Sequence, residues 1–218
     1  MIGRPSILSL SPSLVRWFWK SDAGLDFPDL QGVFSPASFK QGIVGLLHDF
    51  RGMTCGVWQH RPESVGLVRA RSTDPFQDPI IQPNYLSDPI DQRVQVAGLK
   101  LARTLMHTPE LAAFFERDGH PGNRPRGDDE WLDFLRQWGS TCCHLIGTAR
   151  MGPASDPTSV VDDTLRVHGL QVLRVVDASI MPNMPSANTY GSTMMIAEKA
   201  SDMIRGRPPP AAVEGIAA

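Results

Sequence analysis

Three cysteines in 218 residues, Cys55, Cys142 and Cys143, are too few and too oddly placed for a disulfide framework. An odd count with two adjacent members suits a reducing compartment, and a cytoplasmic location is the expectation. No stretch approaches about 18 uninterrupted apolar residues, which excludes a membrane-spanning helix on sequence grounds. The N-terminus, Met1-Ile-Gly-Arg-Pro-Ser, has one early arginine and an apolar run broken by Ser and Pro, a poor signal peptide. Charge of either sign is not in excess: 21 basic against 23 acidic residues leave a net charge of -2, with no basic stripe and no acidic tail. That balance gives no support for nucleic acid or an anionic membrane as partner and leaves a small molecule or another protein. Two glycine motifs are also missing. Without Gly-x-Gly-x-x-Gly there is no loop to grip a dinucleotide pyrophosphate, and without Gly-x-Ser-x-Gly there is no hydrolase nucleophile elbow.

A hydrophobic fraction of 41% is enough to bury a sizeable core, in one large domain or two small ones. Residues 1 to 40 are rich in Pro, Ser and Gly and carry Trp17, Phe18 and Trp19, a pattern expected to be buried against something outside the segment. Met53 to Gln59 and Gly66 to Arg71 read as strands of an antiparallel hairpin around His60-Arg-Pro-Glu-Ser64, with Val68 and Ala70 on a half-buried face. Four X-Pro steps make residues 74 to 87 a winding connection with short strands at most. Asp88 as N-cap and Pro89 at the first helical position start a helix over 89 to 107, on which Ile90, Val94, Ala97, Leu101, Ala102 and Leu105 recur at helical spacing. Further helices are expected at Glu110 to Arg117 and Asp128 to Trp138, separated by a loop from Gly119 to Gly127. Leu173 to Val176 reads as a short strand ending at Asp177. Thr193 to Ile204 reads as an amphipathic helix with Met194, Met195, Ile196, Met203 and Ile204 on its buried side, stopped by Gly206 and Pro208.

Among residues that could do chemistry, His144 is the foremost general-base candidate, because imidazole titrates near neutral pH. Its bland alternative is a buried histidine satisfied by backbone. Asn188 offers a neutral amide donor for a developing alkoxide, against the alternative of loop capping. Asp177, Ala178 and Ser179 lie at a strand end, where ligands collect in open α/β sheets. Cys142, Cys143 and His144 point to alternating sides of an extended segment and lack a second ligand pair, so no metal site is expected. A triad of His144, Asp162 or Asp177, and Ser179 can be drawn, but the elbow is missing. His60, His107, His120 and His168 are singletons expected in turns or at the surface.

Together, His144-Leu-Ile-Gly-Thr-Ala-Arg-Met-Gly152, Val160-Val-Asp162 with Arg166-Val-His-Gly169, Leu173-Arg-Val-Val-Asp-Ala-Ser-Ile-Met-Pro182, and Asn188 followed by Met195-Ile-Ala-Glu-Lys199 carry more than any of them alone. In this fixed order the chain resembles the C-terminal half of a glucose-methanol-choline flavin oxidoreductase. Arg61-Pro-Glu-Ser64, Ser72-x-Asp74-Pro75 and Pro83-Asn-Tyr-Leu-Ser-Asp88 are similar to that family's substrate domain. The resemblance implies an FAD-dependent alcohol dehydrogenase or oxidase that moves a hydride from an alcohol carbon to flavin N5. It places His144 on the catalytic base and Asn188 on the second active-site position, which holds the substrate oxygen. It puts Asp177 and Ala178 against the ribityl and pyrophosphate region and Thr189 close to the isoalloxazine ring. Ser192 departs from the family, many of whose members have Pro there.

The resemblance further implies an α+β architecture. Residues 1–140 form a substrate-binding domain, an antiparallel sheet backed by helices, and residues 141–207 complete an α/β FAD domain whose N-terminal half is absent from the sequence. Residues 208–218, by their position after the last helix, are expected to be a disordered tail. The implied partners are a small alcohol and an N-terminal FAD-binding half. The competing reading is a non-catalytic binding or interaction module without flavin.

Overall fold

The structure is a computed structural model that describes residues 13, 15–40, 46–120, 127–209 and 211. Most of the loop expected between Gly119 and Gly127, and most of the tail from Pro208, lie outside the described residues. The chain divides into two compact units, Met1–Cys142 and Cys143–Ala218.

The first unit is built on a three-stranded antiparallel sheet of β1 (Val15–Trp19), β2 (Leu30–Ser35) and β3 (Thr54–Gln59), in that spatial order. Helix α1 (Pro89–Met106) packs on β3 and β2, and α3 (Asp128–Trp138) packs on α1. The helix approaches the sheet closely because Gly98 faces it: a Cβ there would lie 2.8 Å from Val57 Cγ2 and 3.0 Å from Leu30 Cδ2. Leu30, Val96, Ala102 and Trp131 are buried in this core. The start of α1 follows the sequence expectation, with the Asp88 carboxylate accepting from the Ile90 N–H at 2.7 Å. Its buried face is rotated, however: Asp91, Val96, Gly98 and Ala102 are buried, while Ile90 is exposed. Helix α3 spans the expected residues, whereas α2 (Pro109–Ala112) is a single turn rather than the two expected.

The early Pro- and Gly-rich segment contains β1 and β2, which the composition concealed. Trp17 sits opposite Gly32, and its indole occupies the space over that glycine, where a Cβ would lie 2.0 Å from the ring. Trp17 thus finds its cover within the segment, whereas Phe18 and Trp19 are exposed.

The hairpin expected between residues 53 and 71 does not form. β3 pairs with β2, and β4 (Leu67–Arg69) pairs instead with β5 (Ile80–Gln82). Val68 and Ala70 are both exposed, so the half-buried face is absent as well. The physical reason lies in the connection. His60 is buried on Gln31, and the N–H groups of Glu63 and Ser64 donate to the two carboxylate oxygens of Asp91, each at 2.8 Å. These contacts carry the chain past the start of α1 instead of turning it back along β3. Asp91→Ala removes both acceptors from a residue that is 3% exposed. Hydrogen bonds to a charged group contribute about 1.5 to 3 kcal/mol each, so a loss of about 3 kcal/mol is expected in urea unfolding, with Asp91→Asn losing less.

His60 is a second correction, since it is core and not surface. Its Nε2 lies 2.9 Å from Gln31 Oε1, its ring meets Phe18 edge-on, and its buried Nδ1 finds no partner among the described residues. A second ring proton would be buried without an acceptor. Burial accordingly pushes the pKa below the ordinary 6.5, with smaller opposing effects from Asp29 upward and Arg61 downward. The unfolded chain therefore takes up this proton first as pH falls, and stability declines from about pH 6.5 down through the folded pKa. The urea midpoint should drop between about pH 7.5 and 5.5, and His60→Gln should flatten that part of the profile.

The second unit has little regular structure apart from α4 (Tyr190–Ile204) and a 3₁₀ turn at Ala178–Ile180. Its core joins Val161, Leu165, Ile180 and Met181 to Ile196 and Ala200 of α4. Leu173 to Val176 is not a strand of either sheet. It makes one isolated bridge, Arg166 to Arg174, and Val172 at φ +59° interrupts extended geometry just before it. Helix α4 begins three residues earlier than expected and closes at Gly206, whose φ of +65° suits glycine. Met194, Met195 and Ile204 are exposed rather than buried. Among the described residues no helix is long and apolar enough to cross a membrane.

Candidate active site

All five sequence-predicted site residues fall in the second unit. The segment leading from His144 is tied to the 3₁₀ turn by backbone bonds, Ala149 N–H to Ser179 O at 3.0 Å and Met151 N–H to Ile180 O at 2.8 Å. Ile146 packs into the core two residues after His144, while Leu145 between them is exposed, as alternation along an extended segment requires. Gly147 then turns the chain at φ +84°, a conformation that disfavours any other residue. Cys143, at φ +59°, holds a left-handed conformation immediately before His144. His144 thus lies between two positions of left-handed backbone, Cys143 and Gly147.

The imidazole is held at both nitrogens by consecutive residues at the start of α4. Asn188 Nδ2 lies 2.8 Å from His144 Nε2, and Thr189 Oγ1 lies 3.1 Å from His144 Nδ1. Sequence reasoning singled out all three residues. It paired Asn188 with His144 but set Thr189 apart from them, because separations of 44 and 45 residues give no local signal.

Asp177 and Ala178 belong to the turn beside this site. Asp177 caps it, its Oδ1 accepting from Ser179 N–H at 2.7 Å, and its side chain is exposed; Ala178 packs on the core. The hydrolase triad is not assembled. His144 engages Asn188 and Thr189, and Asp162 Oδ1 accepts from Thr164 N–H, Thr164 Oγ1 and Arg166 N–H, closing its own turn. Hydrogen bonding, from Arg166 N–H first, holds the Asp162 carboxyl below the usual carboxylate range. Three other histidines are engaged elsewhere: His168 Nε2 lies 3.1 Å from Gly152 O, His107 Nδ1 2.8 Å from Arg103 O, and His120 packs on Trp138.

Chemically, Asn188 Nδ2 can only donate, so His144 Nε2 presents a lone pair toward it. A hydroxyl that displaces this direct contact can accept from the amide and donate to the imidazole. Beside this contact, helix α4 starts without a side-chain cap hydrogen bond from Thr189, and a Cβ on Gly191 would meet only open space.

A family model for GMC oxidoreductases matches residues 62–197, more than half of the chain. The chain belongs to the GMC oxidoreductase family. It is 42% identical over 187 residues to an alcohol dehydrogenase [acceptor] from Pseudomonas putida, covering 86% of the chain and 33% of that relative. It is 37% identical over 195 residues to an oxygen-dependent choline dehydrogenase from Staphylococcus epidermidis, covering 88% of the chain and 34% of the relative. The chain thus spans about a third of the length of these curated GMC relatives. Among solved structures it resembles pyridoxine 4-oxidase from Mesorbium loti, with a TM-score of 0.78 and 29% identity over 91% of this chain and 39% of that one. It also resembles formate oxidase from Aspergillus oryzae RIB40, in a structure concerned with FAD modification, with a TM-score of 0.73 and 28% identity over 84% of this chain and 32% of that one. The mixed architecture of helices and antiparallel sheet is that of GMC structures.

Proposed function

We propose that this chain is the C-terminal, substrate-side portion of an FAD-dependent alcohol oxidoreductase. The observation that carries the reading is the convergence of the His144 Nε2 lone pair and the Asn188 amide donor at 2.8 Å, on a chain of GMC ancestry. In this reading His144 removes the hydroxyl proton of the alcohol, and Asn188 donates to the same oxygen as negative charge develops there. Bound FAD would supply the hydride acceptor. Asp177, Ala178 and the first turn of α4, including Thr189, would hold one edge of it, and Gly191 leaves room for a flat group.

In the same reading residues 1–140 form the substrate domain, and residues 141–207 complete an FAD domain with an N-terminal half that lies outside these residues. Two features of the second unit support a missing cover. Leu173 to Val176 has strand composition but makes only one bridge among the described residues, and Leu145, Leu173, Met194 and Met195 are exposed. An odd count of three cysteines, two of them adjacent in sequence, fits a reducing, cytoplasmic setting.

The test is flavin binding and reduction. Mixed with the complementary half, or carried within one longer polypeptide, the chain should give a yellow protein whose flavin absorbance bleaches anaerobically on adding a primary alcohol. A colourless product that stays inactive with added FAD would favour the non-catalytic module instead.

A further inference from the structure

The hydroxyl of Thr189 occupies an unusual position for a helix-capping residue. Thr189 is the N-cap of α4, where a threonine side chain ordinarily accepts from an N–H of the first turn, an interaction worth about 1 kcal/mol. Here the side chain makes no cap hydrogen bond. Thr189 is 8% exposed, and its Oγ1 lies 3.1 Å from His144 Nδ1. The helix forgoes its side-chain cap, and the hydroxyl is turned to the imidazole.

Proton counting fixes the direction of that hydrogen bond. A neutral imidazole has one N–H. Asn188 Nδ2 has hydrogens and no lone pair to offer, so the His144 Nε2 that faces it at 2.8 Å must be the unprotonated nitrogen. The ring proton is then on Nδ1, and Thr189 Oγ1 is its acceptor at 3.1 Å. We infer that Thr189 is a positioning residue: by accepting from Nδ1–H it stabilises the tautomer of His144 that the Asn188 contact requires, and so helps keep the Nε2 lone pair on the substrate side. This inference rests on the reading of His144 as the base. Without the hydroxyl the Nδ1 proton loses this acceptor, and the balance moves toward the ring protonated at Nε2, which can neither accept from Asn188 nor take a proton from a substrate. The nitrogen that carries the proton is set by the hydrogen bond made at the other. Asn188 and Thr189 thereby form one device: adjacent residues at the start of one helix define the donor side and the acceptor side of the same ring.

The experiment measures the tautomer directly, and turnover separately. In the assembled holoenzyme with ¹⁵N-labelled histidine, the His144 resonances should report a protonated Nδ1 and an unprotonated Nε2 at neutral pH. Thr189→Val, nearly equal in volume but with no acceptor, should move the population toward Nε2–H and lower kcat by about 10- to 100-fold, the scale seen when an outer partner that orients a histidine is lost. Thr189→Ser should restore both the Nδ1–H signal and most of the rate, which a purely space-filling role would not require. A wild-type signal dominated by Nε2–H overturns the inference whatever the variants do. So does a Thr189→Val enzyme with wild-type tautomer and rate, a result that leaves the role of His144 as base standing. Conversely, full turnover after His144→Ala would remove the base reading even with the Nδ1–H tautomer present.

Discussion

His144→Ala is expected to lower turnover in the flavin-loaded enzyme by about 10²- to 10⁴-fold, the range contributed by a positioned general base. The flavin spectrum should be nearly unchanged. The reason for both outcomes is local. The imidazole is held through side-chain contacts to Asn188 and Thr189, whereas the turn that carries Asp177 and Ala178 is held by backbone bonds from Ala149 and Met151 and by the core around Ile180 and Met181. Truncation at Cβ removes the first set and leaves the second. Stopped-flow reduction of the flavin by alcohol measures the proton-dependent step, and static absorbance measures flavin retention. Wild-type reduction in this variant would eliminate His144 as the base.

Asn188→Ala is the second large effect, with a loss of about 10² to 10³ in the rate of flavin reduction, the cost of deleting one donor aimed at developing negative charge. Flavin retention should again change little; loss of flavin would instead make Asn188 a structural residue. The two substitutions should not be additive. Asn188 Nδ2 and His144 Nε2 face one another at 2.8 Å and, in the proposed mechanism, act on one oxygen, so the double variant should be little worse than His144→Ala alone. Additive losses would mean that the two side chains serve different steps.

The parts of this protein written locally in the sequence were legible there. Asp88-Pro89 begins α1 because a carboxylate and a fixed φ satisfy the first turn within three residues, and Asp128 to Trp138 forms α3 from its own periodicity. The order of motifs from His144 to Lys199 sufficed to place the chain in its family. The hairpin was misread because pairing is a contest between partners: the residues after β3 are captured by Asp91, 27 and 28 positions away, and neither periodicity nor turn composition contains that contact. Likewise β2 was hidden by its glycine, Gly32. Only the pairing of Trp17 with Gly32 shows that the missing side chain is replaced from across the sheet.

By itself, then, the sequence determined which residue types stand ready for chemistry, His144 and Asn188 among them, together with the helices whose signals are local. Tertiary structure alone decided which nitrogen of His144 meets Asn188 and which meets Thr189. It also buried His60 and Asp91 and left Met194 and Met195 of α4 exposed. The physical reason is common to all of these. A side chain's residue type is a property of one position, but its tautomer, burial and partner depend on atoms brought together from far along the chain.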